Sequence, residues 1–301
     1  NIIDMSWLKN PVYKDHIRSV LYIWQGGMES GNAVADGLSG KVSPSGKLTD
    51  TIACSLADYP AANDFGDTVR NFYTEDIYVG YRYFETFAKD KVLYPFGFGL
   101  SYTEFSRRVT YTAASGTEIG LRVLVKNTGA APGKDVVQVY VEAPQGKLGK
   151  AARSLAAFQK TQLLAPGEAE ELTFEICLKD CASYDDGGVT GQKSCYVLEA
   201  GEYHFYVGGD VRSAGLACTA DITELTVTER CTEALAPVTG FDRLCPMRNG
   251  DGSFREGYVP APLRTADLSA RIRQGREELI RENAAKGGGE KPGDRGLRLA
   301  D

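Results

Sequence analysis

Residues 78–105 read YVGYRYFETFAKDKVLYPFGFGLSYTEF, a run of tyrosine and phenylalanine far denser than the 10% aromatic content of the chain. Gly97 and Gly99 alternate with Phe96 and Phe98 in its PFGFGLS core. Glycine at alternate positions removes the side chain and lets a neighbouring backbone or ring face approach closely. The surrounding rings supply large apolar areas with polar handles. The segment reads as an aromatic girdle between two domains, with Phe96 and Phe98 buried on one side and the glycines closely approached on the other.

On either side the periodicity changes. Upstream, residues 19–25 (SVLYIWQ) form a short, nearly continuous apolar run followed by glycines, the pattern of a buried parallel strand. Gly26, Gly27 and Gly31 make a turn, residues 32–39 read as a short helix stopped by Gly40, and Pro44-Ser45-Gly46 signals a further turn. Strand, glycine turn and helix make one unit of an open α/β sheet, whose ligands gather beyond the carboxyl ends of the strands. Trp24, Gln25 and Glu29 are therefore the candidate substrate-adjacent residues, with Glu29 also placed to cap the helix.

Downstream, period two takes over. Leu121, Val123 and Val125 alternate with polar residues, and so do Leu172, Phe174 and Ile176. Val137, Val139 and Val141 have Gln138 and Tyr140 between them, and Tyr203, Phe205 and Val207 repeat the scheme. Turns such as NTGAAPGK and APGE separate these runs, which indicates a β-sandwich. Tyr140 and Tyr196 are the aromatics expected on its outer strand surface. After residue 228 a linker is expected. Thr265 is its candidate N-cap, followed by one helix presenting Leu268, Ile272, Leu279 and Ile280, and residues 286–293 are glycine-rich. Arginines at 271, 273, 276 and 281 alternate with acidic residues there, as on a solvated, salt-bridged face.

Three blocks carry a family resemblance. YPFGFGLSYTEF is similar to the junction between the α/β sandwich and the fibronectin-III-like domain of family 3 glycoside hydrolases. WQGGMESGNAVADGLSGKVSPSGKL (residues 24–48) resembles that family's strand–loop–helix–turn ending in NPSGKL, with Ser43 in place of the usual Asn. VKNTGAAPGKDVVQVYV and LLAPGEAEELTF look like its fibronectin-III-like domain. The resemblance implies three regions: residues 1–104 as the C-terminal part of an α/β sandwich with an open, mostly parallel sheet, 105–228 as a fibronectin-III-like β-sandwich, and 229–301 as a partly helical linker toward a barrel domain absent from the chain. The tail beyond the fibronectin-like region resembles the permuted subgroup whose barrel follows the sandwich, which implies a chain truncated at both ends.

The implied activity is that of a retaining β-glycosidase, most like a β-glucosidase, with a β-linked oligosaccharide or glycoside as substrate. Retaining hydrolysis needs a carboxylate nucleophile and a carboxylic acid about 5–5.5 Å apart. In the family the nucleophilic Asp lies on the barrel and the acid/base Glu lies upstream of the block matching residues 24–48. No catalytic residue is therefore expected in this chain. The competing class is a non-catalytic sandwich module that binds carbohydrate or protein.

Other functions are excluded by what the 301 residues contain. A formal net charge of −6 disfavours nucleic acid, and no apolar run approaches the roughly 20 residues of a membrane span. Seven cysteines, none in a CxxC, and two histidines offer no zinc spacing, so neither metal nor cofactor is expected. Scattered cysteines in odd number suit reduced thiols and a cytoplasmic setting. GGMESG lacks dinucleotide-loop spacing, and Ser45-Gly46-Lys47-Leu48 has Leu where a phosphate loop needs Ser or Thr.

Overall fold

The structure is a computed structural model describing residues 4–63, 66, 68–233, 235–265 and 269–285. Its largest core lies in a sandwich of two antiparallel sheets. One holds β3 (Phe105–Ala114), β4 (Glu118–Asn127) and β7 (Ala169–Cys177) in the order β3-β4-β7. The other holds β5 (Val136–Glu142), β6 (Ser154–Lys160), β10 (Gly201–Gly208) and β11 (Gly215–Ile222) in the order β11-β10-β5-β6. The alternating residues of the sequence meet between them: Leu121, Val123, Val137, Val139, Phe174 and Phe205 are all buried in one cluster. A small third sheet pairs β8 (Ser183–Asp185), β9 (Cys195–Leu198) and β12 (Thr226–Arg230).

Strand β5 departs from simple alternation. Tyr140, expected on an outer surface, is fully buried, and Gln138 is buried with it. The outward face of β5 is covered by the N-terminal region, so the strand is enclosed on both sides. Tyr140 packs in a second cluster with Val211 and Ala214, against which Tyr81 and Phe96 lie. Its hydroxyl donates to Gln138 Oε1 at 2.5 Å.

The N-terminal region is mixed α/β. Helix α1 (Ser30–Leu38) ends two residues before Gly40, which has φ +78°, close to the expected helix and stop. Helix α2 (Tyr81–Phe87) buries Tyr83, Phe84 and Glu85. Strands β1 (Ile52–Ala53) and β2 (Val92–Tyr94) pair antiparallel, Ile52 opposite Tyr94. The strand expected over residues 19–25 is not formed: Ile23 and Trp24 are 52% and 40% exposed, and no described segment pairs with the run. Apolar continuity reports a surface that wants cover, whereas a strand also needs a hydrogen-bonding neighbour. Among the described residues the parallel sheet is therefore absent and the N-terminal pairing is antiparallel.

The region after residue 228 is more structured than a linker. Strands β13 (Asp242–Arg248) and β14 (Phe254–Pro260) form a hairpin that packs on α2, and Leu244 is buried with Tyr78, Tyr83 and Phe84. Helix α3 (Ser269–Ala285) follows. The expected capping by Thr265 would involve residues 266–268, which lie outside what is described. The Thr265 backbone N–H and hydroxyl bond the Glu233 carboxylate at 3.0 and 3.1 Å. Leu279 and Ile280 are exposed, and Glu277 pairs with Arg281 at 3.8 Å on the salt-bridged surface. Leu268, the Ile272 side chain and the glycine-rich residues 286–293 lie outside what is described.

Candidate functional site

The two N-terminal sequence blocks meet. The segment VSPSGKL runs alongside PFGFGLS, with Leu48 N–H donating to Phe98 O and Gly97 N–H to Leu48 O, both at 2.8 Å. Ser43 Oγ lies 2.7 Å from Ser101 Oγ and accepts the Tyr102 N–H at 3.0 Å, so the serine standing where the family has Asn still ties this turn down. Gly97 has φ +83°, and a Cβ there would collide with the Gln138 amide. A Cβ on Gly99 would come within 2.6 Å of Gly46 O. Both glycines are thus required by close approach, as their alternation in the sequence suggested.

The sandwich grips the same segment. Gln138 Nε2 donates to Gly97 O at 3.1 Å and to Gly209 O at 2.6 Å, while Val211 N–H donates to Phe96 O at 3.1 Å. Lys47 Nζ donates to Gly99 O at 2.7 Å and lies 3.6 Å from Asp135, which also holds Arg107 at 2.6 Å. Burial pulls the Lys47 ammonium below its ordinary range, and the Asp135 carboxylate only partly restores it. Phe96 stacks on Tyr81 at 4.4 Å and meets Tyr140 edge-on, whereas Phe98 stacks only on Tyr94 at 5.6 Å. Both rings are half-buried, so full burial of Phe96 and Phe98 is corrected to partial cover, deeper in contacts for Phe96.

Trp24, Gln25 and Glu29 lie on one exposed segment before α1. Trp24 meets Tyr22 edge-on at 4.7 Å, leaving part of its ring open to solvent. Glu29 occupies the N-cap position of α1, but its side chain makes no capping bond and instead accepts from Asn32 Nδ2 at 2.5 Å. The anticipated side-chain cap is therefore not made: the neighbouring amide outcompetes the backbone N–H groups for the carboxylate.

Several polar anchors were not singled out from the sequence. Arg243 of the hairpin bridges Asp186 at 2.5 Å and Asp76 at 3.3 Å, joining tail, sandwich and N-terminal region. Arg212 reaches back from the sandwich to buried Glu85 at 2.9 Å, and Lys150 pairs with buried Glu199. Their residue types are common, and the pairs are 49 or more positions apart, so only the fold identifies them. Among the described residues no group of three or more His, Cys, Asp and Glu is arranged to hold a metal, and no helix is long and apolar enough to cross a membrane.

The junction locks an α/β segment onto a fibronectin-like sandwich, and comparison with known proteins identifies both parts. The glycosyl hydrolase family 3 C-terminal domain matches residues 1–102, and the fibronectin type III-like domain matches residues 135–211. The chain belongs to the family 3 glycoside hydrolases. It is 47% identical to a β-glucosidase of Ruminococcus albus, an alignment covering 100% of this chain and 30% of that protein. It is 44% identical to β-glucosidase A of Butyrivibrio fibrisolvens, covering 88% and 33%. The crystal structure of a β-glucosidase from Paenibacillus barengoltzii is similar with a TM-score of 0.87 at 52% identity, over 91% of this chain and 31% of that one. β-Glucosidase 3B of Thermotoga neapolitana in complex with glucose is similar with a TM-score of 0.64 at 40% identity, over 72% and 30%. The chain thus spans about a third of the length of the curated relatives it matches.

Proposed function

We propose that this chain is part of a retaining β-glycosidase of the β-glucosidase type, which removes terminal β-linked sugars from oligosaccharides or glycosides. The nucleophile and acid/base carboxylates of the double displacement lie outside it, on a barrel domain and on the preceding part of the α/β sandwich. The observation that carries this reading is the junction itself. VSPSGKL and PFGFGLS pair through backbone bonds and are held by Gln138 and Asp135 of the sandwich, in a chain whose fold matches a β-glucosidase structure over 91% of its length.

The chain's own task is positional. The junction fixes the exposed Trp24–Gln25–Glu29 segment relative to the barrel, its partner in this reading. The open Trp24 ring suits the apolar face of a sugar, and Gln25 and Glu29 offer hydrogen-bonding groups to its hydroxyls. Glu29 already accepts a hydrogen bond from Asn32 Nδ2 at 2.5 Å, and in this reading it is a hydrogen-bonding group for the sugar, with the catalytic carboxylates elsewhere. The scattered cysteines support a cytoplasmic setting for the whole protein.

The test is expression of the full reading frame that contains this chain, assayed with aryl β-glucoside and aryl β-xyloside. Hydrolysis with retained anomeric configuration is expected, with Trp24→Ala raising KM more than it lowers kcat. Failure to hydrolyse either glycoside, or inversion at the anomeric carbon, would overturn the reading.

A further inference from the structure

A cleft of about 550 Å³ opens where the sandwich, helix α2 and the C-terminal hairpin converge. That volume lies within the roughly 300–1,000 Å³ of small-ligand sites. One wall carries Tyr184 of β8 and Tyr196 of β9, which stand opposite each other in register and so point from the same sheet face. Their ring centroids are 5.1 Å apart at 48°, and they are 37% and 40% exposed. Arg82 of α2, half-buried and without an ion pair among the described residues, also lines the cleft, as do the exposed Asp180 and Glu175, likewise unpaired among them. Arg243 and Lys150 also line the cleft but are already committed to Asp76, Asp186 and Glu199.

This combination selects among ligand classes. A continuous pair of phenol rings offers apolar area with hydroxyls at its edge, and a guanidinium and a carboxylate can each hold vicinal hydroxyls through paired hydrogen bonds. The lining charges without an ion pair among the described residues, Arg82 against Asp180 and Glu175, are one basic and two acidic, which disfavours an anion. No metal-holding cluster is present among the described residues. Burial raises the thiol of Cys181, which also lines the cleft, to about 12, which removes the reactive thiolate.

We propose that this cleft is a saccharide-binding site that takes a neutral β-linked oligosaccharide of two or three units, stacked on Tyr184 and Tyr196 and held by Arg82 and Asp180. The choice of β-linked sugar rests on the function proposed above. The sequence showed only Tyr196 of this pair as a surface aromatic, because Tyr184 joins it through strand pairing and Arg82 comes from 114 positions away.

Isothermal titration of the chain of residues 1–301 with cellobiose and cellotriose tests it, with thermal melts confirming that each variant is folded. Saturable binding is expected. Tyr184→Ala, Tyr196→Leu (which keeps the bulk of the strand position) and Arg82→Gln should each weaken it at least fivefold without lowering the melting temperature appreciably. No saturable heat with either sugar would overturn the proposal. So would binding that all three variants leave intact and Trp24→Ala abolishes, since the sugar would then belong to the Trp24 surface. If the full reading frame hydrolyses aryl β-glucoside while the cleft binds nothing, only the cleft falls. If it hydrolyses nothing, the functional reading falls with it.

Discussion

At the residue scale the junction depends on atoms that are missing. Gly97 combines a positive φ with direct contact to the Gln138 amide, so Gly97→Val meets both backbone strain and a collision. Overpacking alone costs about 1–3 kcal/mol, and the positive φ adds to it. Gly99→Val meets the Gly46 carbonyl without the φ penalty and should destabilise by less. The expected order in thermal melts is wild type, Gly99→Val, Gly97→Val, from highest to lowest; equal melting temperatures would contradict the close packing. Among the rings, Phe96→Ala should cost more than Phe98→Ala. A fully buried Phe truncated to Ala costs about 3–5 kcal/mol, and the half-buried Phe98, with a single ring partner, should fall to about half of that or less. These glycines were legible in the sequence because alternate glycine among aromatics has few other uses. The depth of each ring was not, since it is decided by Tyr81 and Tyr140, far apart in sequence.

At the scale of elements, the turn after β8 shows how a dipeptide can carry two different tasks. Asp185 accepts N–H bonds from Gly188, Val189 and Thr190 at 2.6, 3.0 and 2.8 Å and the Thr190 hydroxyl at 2.5 Å. Burial alone would raise its carboxyl; the four donors outweigh it and hold the group below the usual carboxylate range. A depressed folded pKa contributes stability in full above the unfolded value of about 3.9, and that contribution is lost as pH falls through the folded value. Asp185→Asn should therefore lower stability at pH 7 and flatten its decline below about pH 4; an unchanged acid limb in pH-dependent denaturation would refute this. Its neighbour Asp186 instead meets Arg243 of the hairpin. Arg243→Met, which leaves Asp76 and Asp186 without their cation, should loosen the hairpin and destabilise by about 1–2 kcal/mol, less than a fully buried pair because all three groups are partly solvated. Nothing in Asp-Asp-Gly-Gly distinguishes the two roles before the hairpin is in place. The hairpin itself was read as linker because its residues 242–260 lack clean alternation, and its apolar contribution rests largely on Leu244.

At the scale of the whole molecule, the sandwich and the N-terminal region differ in how much they bury. The sandwich has one continuous core fed by both sheets, while residues 6–50 contribute no buried apolar side chain. Limited proteolysis should trim the N-terminal residues first and leave a fragment spanning residues 105–230 protected; a protected N-terminus with a degraded middle would contradict this. The sandwich was legible because strand alternation and turn glycines act locally. Pairing for residues 19–25 was not, because it depends on neighbours that no local pattern can supply. The Trp24–Glu29 surface follows the same logic: the sequence places it after an apolar run and before a helix, and the structure leaves it exposed, facing outward for the domain that the proposed function assigns to it.

The central claim is that this chain positions the catalytic apparatus and does not contain it. The most direct measurement is turnover of aryl β-glucoside by purified residues 1–301, beside the Glu29→Gln variant and a buffer control. Turnover of both proteins at the buffer rate is predicted, because removing the carboxylates of covalent and proton-transfer chemistry removes many orders of magnitude in rate. Hydrolysis above the buffer rate that Glu29→Gln, or any substitution within the chain, abolishes would contradict the account.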